Sequence, residues 1–185
     1  GRYAQSLLAM SAERSATGSG ITRRLLMRWF AVGPIYVGSE RQPTGAFRAL
    51  IRQEGLYGDA RRWHSRLEAL ADAAAAQDST DDDDASSRRR SRLGAYAAGL
   101  RGLVTRLDTA LDAIALAPTW AELGDALWEA LHDFHIPTSW WQADPTERDA
   151  HAAVEQVLQE SLPAIAAYLV EHPGPGLAPR AGDAA

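Results

Sequence analysis

The sequence predicts an all-α fold, and three observations carry that prediction. Apolar residues longer than a short run recur at three and four positions, the period of a helix packed along one face. No stretch alternates apolar and polar residues for long enough to build a sheet. Glycines, prolines and Thr or Asp residues fall at the ends of the periodic stretches, where helices start and stop. The reading is a single compact domain of seven to eight helices. It is divided into a basic helical half (1–77), a charged mobile loop (78–92), an acidic helical half of the same domain (93–172) and a C-terminal linker (173–185).

The first helix is expected from Tyr3 to about Glu13, with Tyr3, Leu7, Leu8 and Met10 on its apolar side, ended by the Ser/Gly-rich residues 15–20. Thr22 caps the second, whose stripe is Ile21, Leu25, Leu26, Trp29 and Phe30. Arg23, Arg24 and Arg28 then fall on the opposite side. Gly33 and Pro34 stop it, and Ile35, Tyr36 and Val37 read as a packed loop, too short a run to require a sheet. Phe47, Leu50 and Ile51 mark a third helix. Gly55 is placed to end it in a left-handed cap, and Asp59 to cap a fourth that carries Trp63, Leu67, Leu70 and Ala71. This helix pair is ringed by Arg41, Arg48, Arg52, Arg61, Arg62 and Arg66.

Residues 78–91 hold only Ala85 as an apolar side chain, too little burial to offset the entropy of ordering them, and are expected to be mobile. The longest helix follows from about Ser91 to Leu116, with Leu93, Tyr96, Leu100, Leu103, Val104, Leu107, Leu111 and Ile114 at helical spacing. Pro118 ends it. Thr119 and Glu122 form a capping box for a helix carrying Leu123, Leu127, Leu131 and Phe134. A further start is expected at Asp144, Pro145 and Glu147, with a kink or restart at Pro163.

At 185 residues one core is large enough to bury roughly 70% of the unfolded chain's surface. Cys is absent, which removes disulfides, thiolate metal sites, iron–sulfur clusters and a cysteine nucleophile from these residues. Lys and Asn are absent as well, so all 19 basic residues are Arg, a bias that a GC-rich bacterial genome accounts for. The net charge of −5 conceals an asymmetry: 11 Arg against 6 acids in 1–77, 4 against 5 in 78–92, and 4 against 13 in 93–185. A basic half can bind a polyanion; equally, two oppositely charged halves can dock on each other. No apolar run of about 18 residues spans a bilayer, so a cytoplasmic chain without membrane contact is expected. The first residue, Gly, and the Pro/Gly-rich end read as those of a piece from a longer protein.

Candidate chemistry is sparse. Glu129 and His132 form one E-x-x-H half-motif, but a di-iron bundle needs it twice with two further glutamates, and His135 adds no second copy. The run Asp81–Asp84 lacks the alternating ligands and closing Glu of a calcium loop. A phosphate loop of the G-x-x-x-x-G-K-[ST] kind cannot be completed without Lys, and no G-x-S-x-G elbow is present. No catalytic residue, cofactor or metal is therefore expected. Trp29, Trp63 and Trp128 lie on or beside apolar stripes and read as core, while Trp140 and Trp141 share one turn, where one can face a partner.

The residues Leu50, Arg52, Gly55-Leu56-Tyr57-Gly58, Trp63 and Arg66-Leu67 resemble a stretch of the B subunit of AddAB-type helicase–nucleases. Arg23-Arg24-Leu25-Leu26 up to Pro34, Thr119-Trp120-Ala121-Glu122-Leu123 and Glu147-Arg148-Asp149 are similar to neighbouring parts of that family in order and spacing. Phe47 stands where the family has Trp, and Gln53-Glu54 where it has Glu-Ala. The resemblance implies the helical 2B-like region of an inactivated superfamily 1 helicase fold, similar to UvrD and Rep. The family's PD-(D/E)xK nuclease and its cysteine-bound cluster have no counterpart in these residues. What it implies for function is a non-catalytic domain in DNA double-strand-break end processing, contacting DNA, the rest of its own chain and a partner subunit. Arg23, Arg24, Arg28, Arg61 and Arg62 are the candidate DNA contacts, from the charge partition and the helix faces. A helical protein-interaction domain of an unrelated large protein is the alternative.

Overall fold

The computed structural model describes residues 2–18, 20–56, 60–77 and 85–134, together with Asp149, Ala152, Ala153, Gln156, Val157 and Glu160. These residues are mostly helical. In chain order they form α1 (Arg2–Thr17), α2 (Arg23–Trp29), β1 (Tyr36–Val37), β2 (Glu40–Arg41), α3 (Thr44–Gln53), α4 (Ala60–Gln77), α5 (Ala85–Leu116) and α6 (Trp120–Phe134). The helices expected from Asp144 and after Pro163 lie outside the continuously described residues, as does the Asp59 cap.

Several helix ends follow directly from local chemistry. Thr22 Oγ1 accepts from the Leu25 N–H at 3.3 Å and caps α2. At the end of α3, Gly55 adopts φ +57°, a conformation that costs a residue with Cβ. The Gly55 N–H then donates to the Arg52 carbonyl at 3.4 Å and the Leu56 N–H to the Ile51 carbonyl at 3.1 Å. This pair of reversed bonds is a Schellman cap, and the buried Leu56 closes it with an apolar contact surface. At α6 the capping box is reciprocal: Glu122 N–H donates to Thr119 Oγ1 at 3.2 Å, and Thr119 N–H to Glu122 Oε2 at 3.2 Å.

Three boundaries differ from the sequence expectation. Helix α1 continues past Glu13 to Thr17, because nothing before the left-handed Gly18 breaks the ladder, and Thr17 Oγ1 donates back to the Glu13 carbonyl at 2.9 Å. Helix α5 starts at Ala85 rather than Ser91, so 85–92 is helix where a loop was expected. Residues 78–84 lie outside the described ones. Finally, the segment read as a packed loop contains a two-stranded hairpin, pairing Tyr36 with Arg41 and Val37 with Glu40 across Gly38-Ser39. Gly38 has φ +62°, as the first central position of a tight hairpin turn requires.

The chain forms two compact units whose boundaries fall after Thr17, Gly33, Arg41 and Asp108, and not within 78–92. The first unit holds α1, the hairpin, the last turns of α5 from Thr109, and α6. Leu7, Met10, Ile35, Tyr36, Leu111, Ile114, Leu127, Leu131 and Phe134 are buried in it. Arg14 pairs with Asp112 at 2.6 Å, and the buried Ser11 hydroxyl donates to the Leu111 carbonyl at 3.4 Å, tying α1 to α5.

The second unit holds α2, α3, α4 and α5 up to Asp108. Its core is aromatic: Trp29, Phe47 and Trp63 are almost fully buried, with Phe30 stacked on Trp29 at 5.9 Å and tilted against Phe47 at 6.3 Å between ring centroids. Leu25, Leu26, Leu50, Ile51, Leu67, Leu100, Leu103, Val104 and Leu107 complete it. Gly94 of α5 faces Ala74 of α4 so closely that a side chain at 94 would have no room.

Candidate nucleic-acid interface

Burial of one face of α2 decides where its arginines go. Leu25, Leu26 and Trp29 are buried, and at 100° per residue the remaining arc carries Arg24 and Arg28, four apart, beside Arg23 and Met27, also four apart. Arg24 and Arg28 are exposed and Arg23 is half-buried. With Thr22, Met27 and Ala31 these three arginines line one shallow concavity of about 750 Å³. Each also holds an interaction with neighbouring groups, so an incoming phosphate would join or replace contacts already made.

The other two sequence candidates are not among the residues lining that concavity. Arg62 is exposed in the first turn of α4, a helix oriented by the burial of Trp63 and Leu67. The side chain of Arg61 lies outside the described residues. Further along, Arg66 pairs with Glu54 and Arg101 with Glu68, each at 3.0 Å, which reduces what these two offer a ligand.

A second group of arginines lies on α5. Because α5 begins at Ala85, Arg88, Arg89, Arg90 and Arg92 belong to a helix, and they line a groove of about 600 Å³ with Tyr96 and with residues of α3. All four are exposed, and Leu93 and Tyr96 are half-buried. In the sequence the aspartates at 81–84 stand just before these arginines and offset much of their charge. The visible signal of the cluster was spacing: Arg88, Arg92 and Tyr96 succeed one another at four-residue steps, in phase with the stripe that continues through Leu100.

The second unit contains 14 Arg against 10 acids, a net +4, and the first 5 Arg against 14 acids, a net −9. Cations and apolar floor in one place suit electrostatic capture of a polyanion. Elsewhere the chemistry is quiet. His132 lies edge-on to Trp128 with ring centroids 4.5 Å apart, and His135 is outside the described residues. Among the described residues no group of three or more His, Asp or Glu side chains is assembled to hold a metal. Burial, reinforced by Tyr36 nearby, raises the Tyr3 hydroxyl pKa above its ordinary value. No helix among the described residues is long and apolar enough to cross a membrane.

Comparison of the chain with protein-family models, with curated proteins and with solved structures returns no match.

Proposed function

We propose that this chain is a non-catalytic helical domain that binds DNA without sequence preference through its basic unit. The observation that carries the reading is the gathering of Arg23, Arg24 and Arg28 on one concavity of a unit with a net charge of +4. Arginine suits this role because its planar guanidinium donates in pairs to phosphate oxygens and stays charged at any physiological pH. The resemblance to the B subunit of AddAB-type helicase–nucleases supports a more specific setting. In it, the domain acts in a cytoplasmic machine that processes double-strand breaks, contacting duplex DNA, the remaining domains of its own protein and a partner subunit. Its fold then corresponds to a 2B-like region with the further helices expected after residue 144.

Fluorescence anisotropy with a labelled duplex, repeated over a range of salt concentrations, tests the reading. Each phosphate contact contributes about 0.9 to the slope of log affinity against log salt. Arg23→Glu/Arg24→Glu/Arg28→Glu is expected to lower duplex affinity and flatten that slope by about 2 to 3, with helicity unchanged. Arg61→Glu/Arg62→Glu reports separately on the α4 candidates. A parent domain that binds no duplex at low salt, or a triple variant that binds as well as the parent, refutes the proposal. The alternative, a protein-interaction domain, is favoured by the net −9 of the first unit and by Leu116, 75% exposed at the end of α5.

A further inference from the structure

We infer that the groove between α3 and the first turns of α5 is a binding site for single-stranded nucleic acid, distinct from the α2 concavity. This rests on the reading of the chain as a nucleic-acid-binding domain and adds to it a second site with its own ligand class. Arg88, Arg92 and Tyr96 stand on one line of α5 at successive four-residue steps, about 6 Å apart along the axis, with Arg89 and Leu93 forming the adjacent line. That interval is of the order of the spacing between phosphates on an extended strand. The opposite wall comes from α3, where Ala46 and Ala49 are small and leave depth, and Gln53 provides an amide able to donate and accept.

The groove thus combines the two elements that single-strand sites need: cations tracking a backbone and an aromatic face on which a base can stack. Tyr96 is the aromatic face, half-buried and so held in place, while the arginines around it are exposed. At about 600 Å³ the groove is of small-ligand size, in the range of roughly 300–1,000 Å³. A short run of nucleotides fits a groove of that size, and Tyr96 in its lining offers an unpaired base a stacking face that the α2 concavity lacks. The arrangement is also costly locally. Like charges four apart on a helix repel, and cations near a helix start oppose its dipole. Departures from local rules concentrate where function compensates them.

The test uses the full 185-residue chain and two probes, a labelled oligothymidylate and a labelled duplex of equal length, by anisotropy at low salt. Arg88→Glu/Arg89→Glu/Arg92→Glu is expected to lose at least about tenfold in single-strand affinity. Tyr96→Ala is expected to lose about tenfold, as removal of a stacking platform does, with Tyr96→Phe restoring it. Duplex affinity should fall less than single-strand affinity in both, and by less than about twofold for Tyr96→Ala, which leaves the charge unchanged, while the Arg23/Arg24/Arg28 variant shows the opposite order. The charge reversals place acids near a helix N-terminus, a favourable location, and circular dichroism checks that the fold is kept. Unchanged single-strand binding in the groove variants, or equal losses for both probes, overturns the inference. Duplex binding by the parent without oligothymidylate binding overturns it while leaving the proposed function standing. Binding of neither probe removes both.

Discussion

Substituting Gly94 by Ala isolates one packing contact with little else changed. In a helix interior Ala is favoured over Gly by about 0.8–1 kcal/mol, so propensity alone predicts a more stable protein. The geometry predicts the reverse. A Cβ at 94 would lie well inside van der Waals contact of Ala74 Cβ and 3.6 Å from the Ala71 carbonyl oxygen. The nearest atom belongs to a side chain that cannot rotate away, so α4 or α5 must shift. Overpacking of this kind costs about 1–3 kcal/mol, leaving a net loss of up to about 2 kcal/mol. Gly102 is the control: in the same helix a Cβ there meets nothing within 4 Å, and Gly102→Ala is expected to gain the full propensity term. Both variants carry that term, so their difference in stability is the overlap cost itself. Urea denaturation followed by circular dichroism measures it. Adding Ala74→Gly to Gly94→Ala should recover part of the loss, as a coupling that the double-mutant cycle reads directly. If Gly94→Ala proves as stable as Gly102→Ala, the close approach of α4 and α5 at this point is wrong.

Three further substitutions follow from the same geometry. Thr119→Ala removes the acceptor for the Glu122 N–H and half of the α6 capping box, an expected loss of about 0.5–2 kcal/mol that Thr119→Ser largely avoids; equal urea midpoints for parent and Ala variant would contradict the cap. Trp63→Ala leaves a cavity in the aromatic core of the second unit, where Trp63 is 1% exposed, and is expected to cost about 3–5 kcal/mol; a loss under about 1 kcal/mol would place that ring outside the core. Arg66→Ala breaks the 3.0 Å pair with Glu54, but Arg66 is 59% exposed, so the expected change is below about 1 kcal/mol. A larger loss there would mean that Arg66 supports the α3–α4 pair through packing.

How much of this was legible in the sequence depends on the range of the interaction concerned. The Thr22 cap, the Gly55 Schellman turn and the Thr119–Glu122 box involve partners within five residues, and each was readable from residue type and spacing. The start of α5 was misread because composition argued against it. Four aspartates and a serine-rich stretch described a solvated loop, yet arginine is a good helix former and the stripe behind it extends the helix back to Ala85. The hairpin was missed for another reason: four paired residues leave no alternation to detect, and only Gly38-Ser39 announced the turn.

The candidate interfaces divide along the same line. The α2 arginines are a property of one helix, since the burial of Leu25, Leu26 and Trp29 determines which arc remains for Arg24 and Arg28. The α3–α5 groove is a property of two helices whose lining residues stand 35 or more positions apart in the chain, and its depth depends on Ala46 and Ala49 opposite the arginines. Nothing local marks those alanines as different from any other. The tertiary fold also redraws the charge map that the sequence suggested. The basic material is not the N-terminal half as such, because α1 and the hairpin belong to the acidic unit while Arg88 to Arg106 belong to the basic one. Electrostatic capture acts through the summed field of a folded unit, so the arginines of α5 reinforce those of α2 even though the aspartate run lies between them in the chain.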